Sequence, residues 1–183
     1  MQTHPTDLPN VLLLEPERHS DRRGYLFEAW QAERYAEAGL PEAFAQDNVS
    51  RSKEGVLRGL HYQWPQPQGK LITVLCGRIW DVAVDIRRGS DTFGEWAAVT
   101  LSEADGRQLY VPEGFAHGFA TLEGPAIVHY KCTDYYAPTC EHTIRWDDPQ
   151  LQIEWPLDDP TLSPSDEEAP LLEGLPVTSF PEG

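Results

Sequence analysis

Alternating apolar and polar positions through the middle of the chain predict β-strands. In the segment KLITVLCGRIWDVAVDIRRGS (70–90), Leu71, Thr73 and Leu75 alternate with Ile72 and Val74 before Gly77. Beyond Gly77, apolar side chains lie mostly at every second position as far as Ile86. Shorter runs of the same kind follow: EWAAVTL, RQLYVPEG, GFATLE, AIVHYKCTDYY and HTIRW. Turn signals separate them, namely Gly89-Ser90, Asp105-Gly106, Pro112-Glu113-Gly114, Gly124-Pro125 and Pro138. Many short strands at this spacing indicate an antiparallel sandwich or a small barrel.

Helical periodicity is scarce along the chain. The best candidate is the segment 29–38, AWQAERYAEA, which Gly39 and Pro41 should terminate. From about Leu157 the sequence becomes rich in proline and acidic residues, LDDPTLSPSDEEAPLLEGLP, and predicts an irregular tail packed against the strands. We therefore expect one all-β domain over residues 1–183, with a short N-terminal helix and an irregular C-terminal tail.

The composition narrows the range of partners. The chain has 183 residues, of which 40% are hydrophobic, as expected for a folded domain that buries a sizeable core. Its 14 basic and 30 acidic residues give a formal net charge of −16, which disfavours binding to nucleic acid. A single phosphorylated ligand could still be held by a local group of arginines.

Cysteine content and hydropathy indicate a cytoplasmic protein. The three cysteines, Cys76, Cys132 and Cys140, are odd in number and form no CxxC pair, so we expect free thiols in a reducing compartment. The N-terminal apolar run, Val11 to Leu14, is shorter than a signal peptide requires, and no stretch reaches the length of a membrane span.

Two segments combine histidine with glycine where strands should end. They are RGLHYQ (58–63) and PEGFAHGF (112–119), which carry His61 and His117. The spacing Pro-x-Gly-x-x-His resembles a motif of the cupin superfamily of small jelly-roll barrels. Many cupins bind a metal through His-x-His, but Gln63 stands at the second position here, and two histidines alone would leave the ion under-coordinated. We therefore expect no metal, although each histidine taken alone would equally suit a core or loop position.

A longer ordered set of segments is far more specific than either motif. The segments are DRRGYLFEAW, QDNVSRSKEGVLRGLHYQ, GKLITVLCGRIWDVAVDIRRGSDTFGEW, RQLYVPEGFAHGFATL, YKCTDYYAPTCEHTIRWDDP and LSPSDEEAPLL. In this order they resemble the dTDP-4-dehydrorhamnose 3,5-epimerase family over nearly the whole chain. The resemblance implies a cupin jelly-roll enzyme that needs no cofactor, forms a homodimer and takes a dTDP-4-keto-6-deoxy sugar as substrate.

The chemistry of such an epimerase explains the residues that match the family's catalytic positions. A 4-keto sugar has acidic C–H bonds at C3 and C5, and inverting these carbons requires a base, an acid on the opposite face and a group that stabilises the enolate. The resemblance assigns the base to His61, its orienting carboxylate to Asp166 and the proton donor to Tyr130. Lys70 would supply positive charge for the enolate. An imidazole, with an ordinary pKa of about 6.5, is largely neutral at pH 7, whereas a phenol, at about 10, keeps its proton until a carbanion takes it.

The nucleotide end of the substrate requires a different set of contacts. Arg23 and Arg58 match the family's phosphate and substrate contacts, and the planar fork of arginine suits phosphate oxygens. The resemblance also implies contacts to the sugar or the thymidine from Glu28, Gln46, Asp47, Asn48, His117, Tyr136 and Glu141. Tyr136 would stack on the thymine ring, and Asp81 could orient His117. In such enzymes the N-terminal segment with Arg23 can reach the site of the neighbouring subunit.

One position departs from the family pattern. The family commonly has Leu-Ser-x-Lys-Asp, whereas Ser165 precedes Asp166 here. The carboxylate is retained, so the substitution bears on a contact to the nucleotide and on affinity more than on the chemistry.

Three other functions remain open on the sequence alone. Relatives with this framework invert only one carbon, or act on other deoxysugars, so a mono-epimerase is the first alternative. A metal-dependent cupin enzyme is the second, and the missing His-x-His pair argues against it. A non-catalytic binder of sugar nucleotides is the third, and the presence of a base, an acid and a lysine argues against that.

Overall fold

The computed structural model describes residues 1–181 and consists mainly of β-strands. The strands are β1 (Gln2–Pro5), β2 (Leu12–Glu15), β3 (Arg18–Asp21), β4 (Gly24–Phe27), β5 (Gln46–Ser52), β6 (Leu57–Gln63), β7 (Lys70–Asp85), β8 (Trp96–Ser102), β9 (Gln108–Val111), β10 (Phe115–Cys132) and β11 (Glu141–Thr143). Two short helices, α1 (Ala32–Glu37) and α2 (Pro164–Glu167), accompany them, with 3-10 turns at Leu172–Gly174 and Val177–Ser179. The last two residues of the predicted domain lie outside the described residues.

Two long antiparallel strands, β7 and β10, organise the fold. They pair with each other along most of their length. The first half of β7 also pairs with β9 and its second half with β8, while the first half of β10 pairs with β6 and its second half with β5. Each long strand therefore contributes to two layers, which form the predicted all-β jelly roll. The first layer contains β9, β5, the first half of β7 and the second half of β10, and the second layer contains β8, β6, the second half of β7 and the first half of β10.

A glycine permits β7 to pass from one layer to the other. Gly77 has a φ of +77°, and a Cβ atom there would lie 2.5 Å from the carbonyl oxygen of Glu123. Any other residue would strain this close approach between the two strands. The register of β10 shifts at the same level, between Thr121 and Ile127. The turn predicted at Gly124-Pro125 is thus wrong, because these residues form an irregularity inside one continuous strand.

The apolar core lies between the two layers. Ile72 and Val74, from the first half of β7, belong to the same buried cluster as Ile79 and Ala83 from its second half. The two halves of the strand therefore face each other across the interior. This cluster fills one part of the space between the layers and leaves the remainder to polar side chains.

The predicted N-terminal helix exists but is shorter than expected. The segment 29–38 becomes helical only at Ala32, because Gln31 is extended and caps the helix by accepting a hydrogen bond from the Arg34 N–H. Gly39, with a φ of +94°, follows the last turn as predicted. The buried Tyr35 of α1 packs on the outer face of the first layer with Leu71.

The irregular C-terminal tail covers the outer face of the second layer, as predicted. Leu172 and Phe180 are buried in one cluster with Tyr62 of β6. The Asp148 carboxylate accepts hydrogen bonds from the N–H groups of Gln150, Leu151 and Leu172, which ties the tail to the preceding loop. Within the described residues, no helix has the length and apolar character needed to cross a membrane.

Candidate active site

A polar cavity of about 390 Å³ opens between the two layers. Its walls come from β5, β6, β7, β10 and the segments around β11. The lining residues are Gln46, Asn48, Ser50, Arg58, His61, Gln68, Lys70, His117, Gly118, Phe119, Tyr130, Tyr136 and Glu141. Nine of the thirteen residues that the sequence singled out for catalysis and binding line this one cavity.

A bulge in β6 turns both Arg58 and His61 towards the cavity. In a regular strand, residues three positions apart point to opposite faces. Here His117 of β10 pairs with His61, but Phe119 pairs with Arg58, so β6 has one residue more than β10 between these pairs. Gly59 lies at the bulge, where a Cβ atom would come within 2.6 Å of the Gly118 Cα atom. The glycine of RGLH is therefore required by close packing.

His61 forms a hydrogen-bonded pair with a buried carboxylate from the distant tail. Its Nε2 atom lies 2.6 Å from Oδ1 of Asp166, although the two residues are 105 positions apart in sequence. Ser163 caps α2 and donates from its hydroxyl to Oδ2 of Asp166 at 2.7 Å. Burial alone would raise the pKa of Asp166, but the hydrogen bonds and charge of His61 and the bond from Ser163 outweigh it, so the pKa is lowered. The carboxylate stays ionised and orients the imidazole.

Tyr130 lies on the opposite layer from His61. It belongs to the second half of β10, where it pairs with Asn48 and Ile72, whereas His61 belongs to β6 in the other layer. Burial raises the pKa of Tyr130, the charges of Cys132 and Glu141 act in the same direction, and Arg58 opposes them. The phenol therefore holds its proton at neutral pH. A base and an acid face the same cavity from its two sides.

Lys70 adds positive charge to the cavity wall. Its Nζ atom lies 3.4 Å from the carbonyl oxygen of His61. Burial lowers the pKa of Lys70. Three acidic groups act against this shift, in decreasing order Cys132, Asp81 and Glu141. A partly desolvated ammonium of this kind can stabilise an oxyanion that forms beside it.

A second histidine makes a carboxylate pair close to the first. Nε2 of His117 lies 2.8 Å from Oδ1 of Asp81, and both side chains are buried. The contact that the orientation of His117 by Asp81 requires is thus present. Since His117 and His61 are paired residues of β10 and β6, both rings belong to the same wall of the cavity.

The outer end of the cavity combines an exposed aromatic ring with polar groups. The ring of Tyr136 is half exposed, and its hydroxyl donates to Oε2 of Glu141 at 2.7 Å. The Tyr136 N–H donates to Oε1 of Gln46, which fixes the loop on β5. Arg58 also lines the cavity and is exposed, and its Nε donates to the Ser52 hydroxyl at 3.0 Å. These groups offer a stacking surface and a guanidinium to a ligand in the cavity.

Three predicted binding residues do not face the cavity in this chain. Arg23 is at the tip of the exposed β3–β4 hairpin, where it pairs with Asp21. Glu28 lines a separate cavity of about 440 Å³ and pairs with Arg34. Asp47 points to the outer face of β5, where its Oδ1 atom lies 2.7 Å from Nζ of Lys131. Their contacts to a substrate remain predictions.

Sequence reasoning missed some of the cavity wall. Ser50 follows Gln46 and Asn48 at the two-residue period of β5, so strand periodicity could have found it. Gln68 precedes β7 in a loop, and no sequence pattern indicated it. Phe119 and Gly118 line the cavity because of the bulge opposite them, which the alternation of side chains did not predict.

Gln63 has a structural role. It stands at the position of the second histidine in the His-x-His motif. Its side-chain amide donates to the carbonyl oxygens of Gln66 and Tyr135, and its carbonyl accepts from the Ala137 N–H. It thereby ties together two loops at the mouth of the cavity. Within residues 1–181, no group of three or more His, Cys, Asp and Glu side chains is arranged as metal ligands.

The fold and the cavity define a jelly-roll protein with an internal acid–base site. The sequence profile of the dTDP-4-dehydrorhamnose 3,5-epimerase family matches residues 5–174. The dTDP-4-dehydrorhamnose 3,5-epimerase of Pseudomonas aeruginosa is 52% identical over 161 residues, which cover 87% of this chain and 89% of that protein. The chain belongs to the dTDP-4-dehydrorhamnose 3,5-epimerase family.

Solved structures agree with this assignment. The dTDP-6-deoxy-D-glucose-3,5-epimerase from Legionella pneumophila Philadelphia 1, in complex with dTDP-4-keto-L-rhamnose, superposes with a TM-score of 0.97 at 49% identity, over 100% of this chain and 98% of that one. A 3'-monoepimerase from Streptomyces bikiniensis, in complex with dTDP-quinovose, superposes with a TM-score of 0.87 at 38% identity, over 93% of this chain and 87% of that one. Enzymes named for one and for two inversions therefore share this fold.

Proposed function

We propose that the chain is a dTDP-4-dehydrorhamnose 3,5-epimerase, which inverts C3 and C5 of dTDP-4-dehydro-6-deoxy-D-glucose to give dTDP-4-dehydro-L-rhamnose. One observation carries the proposal: the His61–Asp166 pair and the Tyr130 phenol face a single cavity from opposite layers. An inversion at carbon needs a base on one side of the sugar ring and an acid on the other.

Each inversion follows the same sequence of proton transfers. His61 accepts the proton from C5 or C3 on Nδ1, since Nε2 is bonded to Asp166, and the electron pair of the C–H bond moves into an enolate with its charge on the C4 oxygen. Tyr130 then donates its hydroxyl proton to the same carbon from the opposite face. The ketone reforms, and the imidazolium and the phenolate exchange protons with solvent before the next step.

Lys70 stabilises the enolate during this sequence. Its ammonium is partly desolvated, so its charge acts on a nearby oxyanion through a medium of lower dielectric constant than water. The reaction requires no redox step, and proton transfers of this kind need no cofactor. The residues of the cavity supply every group that the sequence of steps uses.

The nucleotide extends from the sugar towards the mouth of the cavity. Arg58 binds the diphosphate, and the half-exposed ring of Tyr136 stacks on the thymine. Polar groups of Gln46, Asn48, His117 and Glu141 contact the sugar and the thymidine. Two positively charged side chains thus meet the phosphates and the ketone inside a chain whose net charge is −16.

The enzyme acts as a homodimer in which the β3–β4 hairpin serves the partner's cavity. On β4 of this hairpin, Leu26 is 73% exposed and Tyr25 is 41% exposed. Arg23 lies in the turn of the hairpin and Glu28 directly follows β4, and neither residue lines the cavity of its own chain that holds His61. A second copy would cover these apolar side chains and receive Arg23 as a phosphate ligand. The three free thiols suit an enzyme of the cytoplasm.

A mono-epimerase is the alternative, because a 3'-monoepimerase shares the fold. Incubation of the purified enzyme with the 4-keto nucleotide in heavy water separates the two by mass spectrometry and NMR of the product. Two deuterons, at C3 and C5, together with inversion at both carbons, are expected. One deuteron at one inverted carbon would establish the mono-epimerase, and no incorporation would refute the proposed function.

A further inference from the structure

Within residues 1–181, no strand of the main sheet pairs with the β3–β4 hairpin. The hairpin forms a separate two-stranded sheet, whereas the other nine strands described form one continuous sheet. Most residues of the hairpin are exposed. The position of the hairpin therefore depends on contacts at the two points where the chain enters and leaves it.

Arg18 ties the point of entry to the main sheet. Its guanidinium donates hydrogen bonds to the carbonyl oxygens of Glu103 and Ala104, in the turn that follows β8. The same guanidinium lies over the ring of Tyr25 on β4, 3.4 Å from the ring centroid. These contacts hold the start of the hairpin close to the surface, and the contacts at its other end lie deeper.

Gln108 of β9 ties the point of exit. Its amide nitrogen donates to the carbonyl oxygen of Ala29 at 2.9 Å and to the Thr73 hydroxyl at 2.7 Å. Its amide oxygen accepts from the Tyr35 hydroxyl at 2.7 Å, and that hydroxyl also lies 3.1 Å from the carbonyl oxygen of Glu28. We call Thr73, Gln108 and Tyr35 the hairpin anchor, because they hold the two residues that directly follow β4.

The hairpin anchor is a buried polar network. Gln108 is 0% exposed, and Thr73 and Tyr35 are each 1% exposed. The ring of Tyr35 packs in an apolar cluster with Leu14 and Leu71, where an apolar side chain at position 108 would avoid the cost of burying an amide. The amide is compensated because both of its N–H groups and its oxygen are bonded. Such a network specifies one position for the segment that it binds.

We infer that Gln108 and Tyr35 are positioning residues for the active site of the other subunit. By fixing the end of β4, they set where Arg23 and Glu28 stand when the hairpin reaches the partner's cavity. The inference rests on the proposed function, in which the hairpin serves that cavity. Within residues 1–181, neither Gln108 nor Tyr35 lines the cavity of its own chain that holds His61. A substitution in the anchor of one subunit should therefore weaken substrate binding in the other subunit.

The first readout is the division of the effect between KM and kcat. Gln108→Met keeps an unbranched side chain of similar length and removes the amide. KM for the 4-keto nucleotide should rise by about 10-fold, because a displacement of about 1 Å at a contact residue is costly. The kcat should change little, since the groups that transfer protons stand on other strands. An unchanged KM in the folded variant would overturn the inference.

The second readout uses heterodimers purified through two different affinity tags. In the first heterodimer, one subunit carries Gln108→Met and the other carries His61→Asn. The site with a native His61 then receives the hairpin of a subunit whose anchor is native, so KM should equal the wild-type value. In the second heterodimer, one subunit carries both substitutions and the other is wild type. The site with a native His61 then receives the altered hairpin, so KM should show the full rise.

Each heterodimer is the matched control of the other, because both contain the same residues in a different arrangement. A raised KM in the first and a wild-type KM in the second would show that Gln108 acts inside its own subunit, and would overturn the inference. Equal KM values in the two would overturn it as well. A defect of folding or packing confined to one chain predicts the reversed result, so it cannot imitate the expected one.

A milder variant keeps the inference testable if Gln108→Met fails to fold. Tyr35→Phe removes one hydroxyl and retains the ring, whose centroid lies 4.9 Å from that of Trp30. It should show the same dependence on arrangement with a smaller rise in KM, and wild-type KM values in both of its heterodimers would overturn the inference.

The same two arrangements built with Arg23→Ala separate this inference from the proposed function. If Arg23→Ala acts on the partner's site and Gln108→Met does not, the inference fails and the proposed function stands. A wild-type protein without epimerase activity would refute the proposed function itself.

Discussion

At the scale of single residues, the site depends on pairs that are distant in sequence. Asp166 contacts His61 across 105 positions, so no spacing rule could have joined them, and only the resemblance to the family did. The chemistry of each residue was readable from the sequence, since an imidazole suits a base and a phenol suits an acid. The hydrogen-bond partner of each residue could not be read from the sequence, because it depends on the contact between β6 and the C-terminal tail in the folded chain.

The His61–Asp166 pair supports the first specific prediction. In Asp166→Asn the amide no longer fixes the imidazole tautomer, so kcat should fall by about 10²- to 10⁴-fold while KM changes little. The pKa of Asp166 is lowered, so in the wild-type enzyme its carboxylate remains ionised as the pH falls to the ordinary carboxyl range, and activity there should not be limited by Asp166.

The control for this prediction is the neighbouring residue Ser165. It is exposed, and its hydroxyl lies 2.9 Å from the Ser163 hydroxyl, which in turn donates to Asp166. Ser165→Ala should alter kcat by no more than about twofold, as for most exposed positions. Equal losses in the two variants, measured in steady-state assays, would contradict the role given to the carboxylate.

At the scale of elements, periodicity predicted the strands well and their irregularities poorly. The alternation in 70–86 located β7, and the helix before Gly39 was found with a start three residues too early. The bulge at Gly59 and the passage of β10 through Gly124 follow from contacts with neighbouring backbones, which a single sequence does not display. These irregularities decide which residues face the cavity.

The β3–β4 hairpin leads to a prediction about subunit mixing. If Arg23 serves the partner's cavity, Arg23→Ala impairs the site of the partner subunit, whereas His61→Asn impairs the site of its own subunit. A dimer of one subunit of each kind therefore contains one site with both native residues. Subunits exchanged at equal amounts should recover about one quarter of wild-type activity, because about half of the dimers are mixed and each has one intact site. Arg23→Ala alone should lose about 1.5–3 kcal/mol of binding, typical of a hydrogen bond to a charged group.

The chain provides a matched control for the mixing experiment. Arg58 and His61 both face the cavity of their own chain from β6. Mixing Arg58→Ala with His61→Asn should therefore recover nothing, since every site lacks one of the two residues. Recovery in this control, or none with Arg23→Ala, would show that the hairpin acts differently from the proposal.

At the scale of the whole molecule, the jelly roll brings a base and an acid to opposite sides of one enclosed space. The class of fold and the family could be predicted from the ordered set of segments. The net charge of −16 indicated that a phosphorylated ligand would need a local group of basic residues, and Arg58 and Lys70 both line the cavity. The facing arrangement of His61 and Tyr130 was implied only by the resemblance to the family, because no pattern in a single sequence displays the closure of two layers around β7 and β10. The proposed chemistry depends on this arrangement more than on any single contact.

The most direct test of this arrangement is hydrogen exchange at C3 and C5 in heavy water, measured by NMR on the sugar recovered from His61→Asn and Tyr130→Phe. Tyr130→Phe retains the base, so deuterium should enter the recovered substrate without inversion, because His61 removes the proton and returns a deuteron to the same face. His61→Asn should show no exchange above the rate without enzyme. Exchange that persists in His61→Asn, or that is absent in Tyr130→Phe while the wild-type enzyme exchanges both positions, would contradict the account.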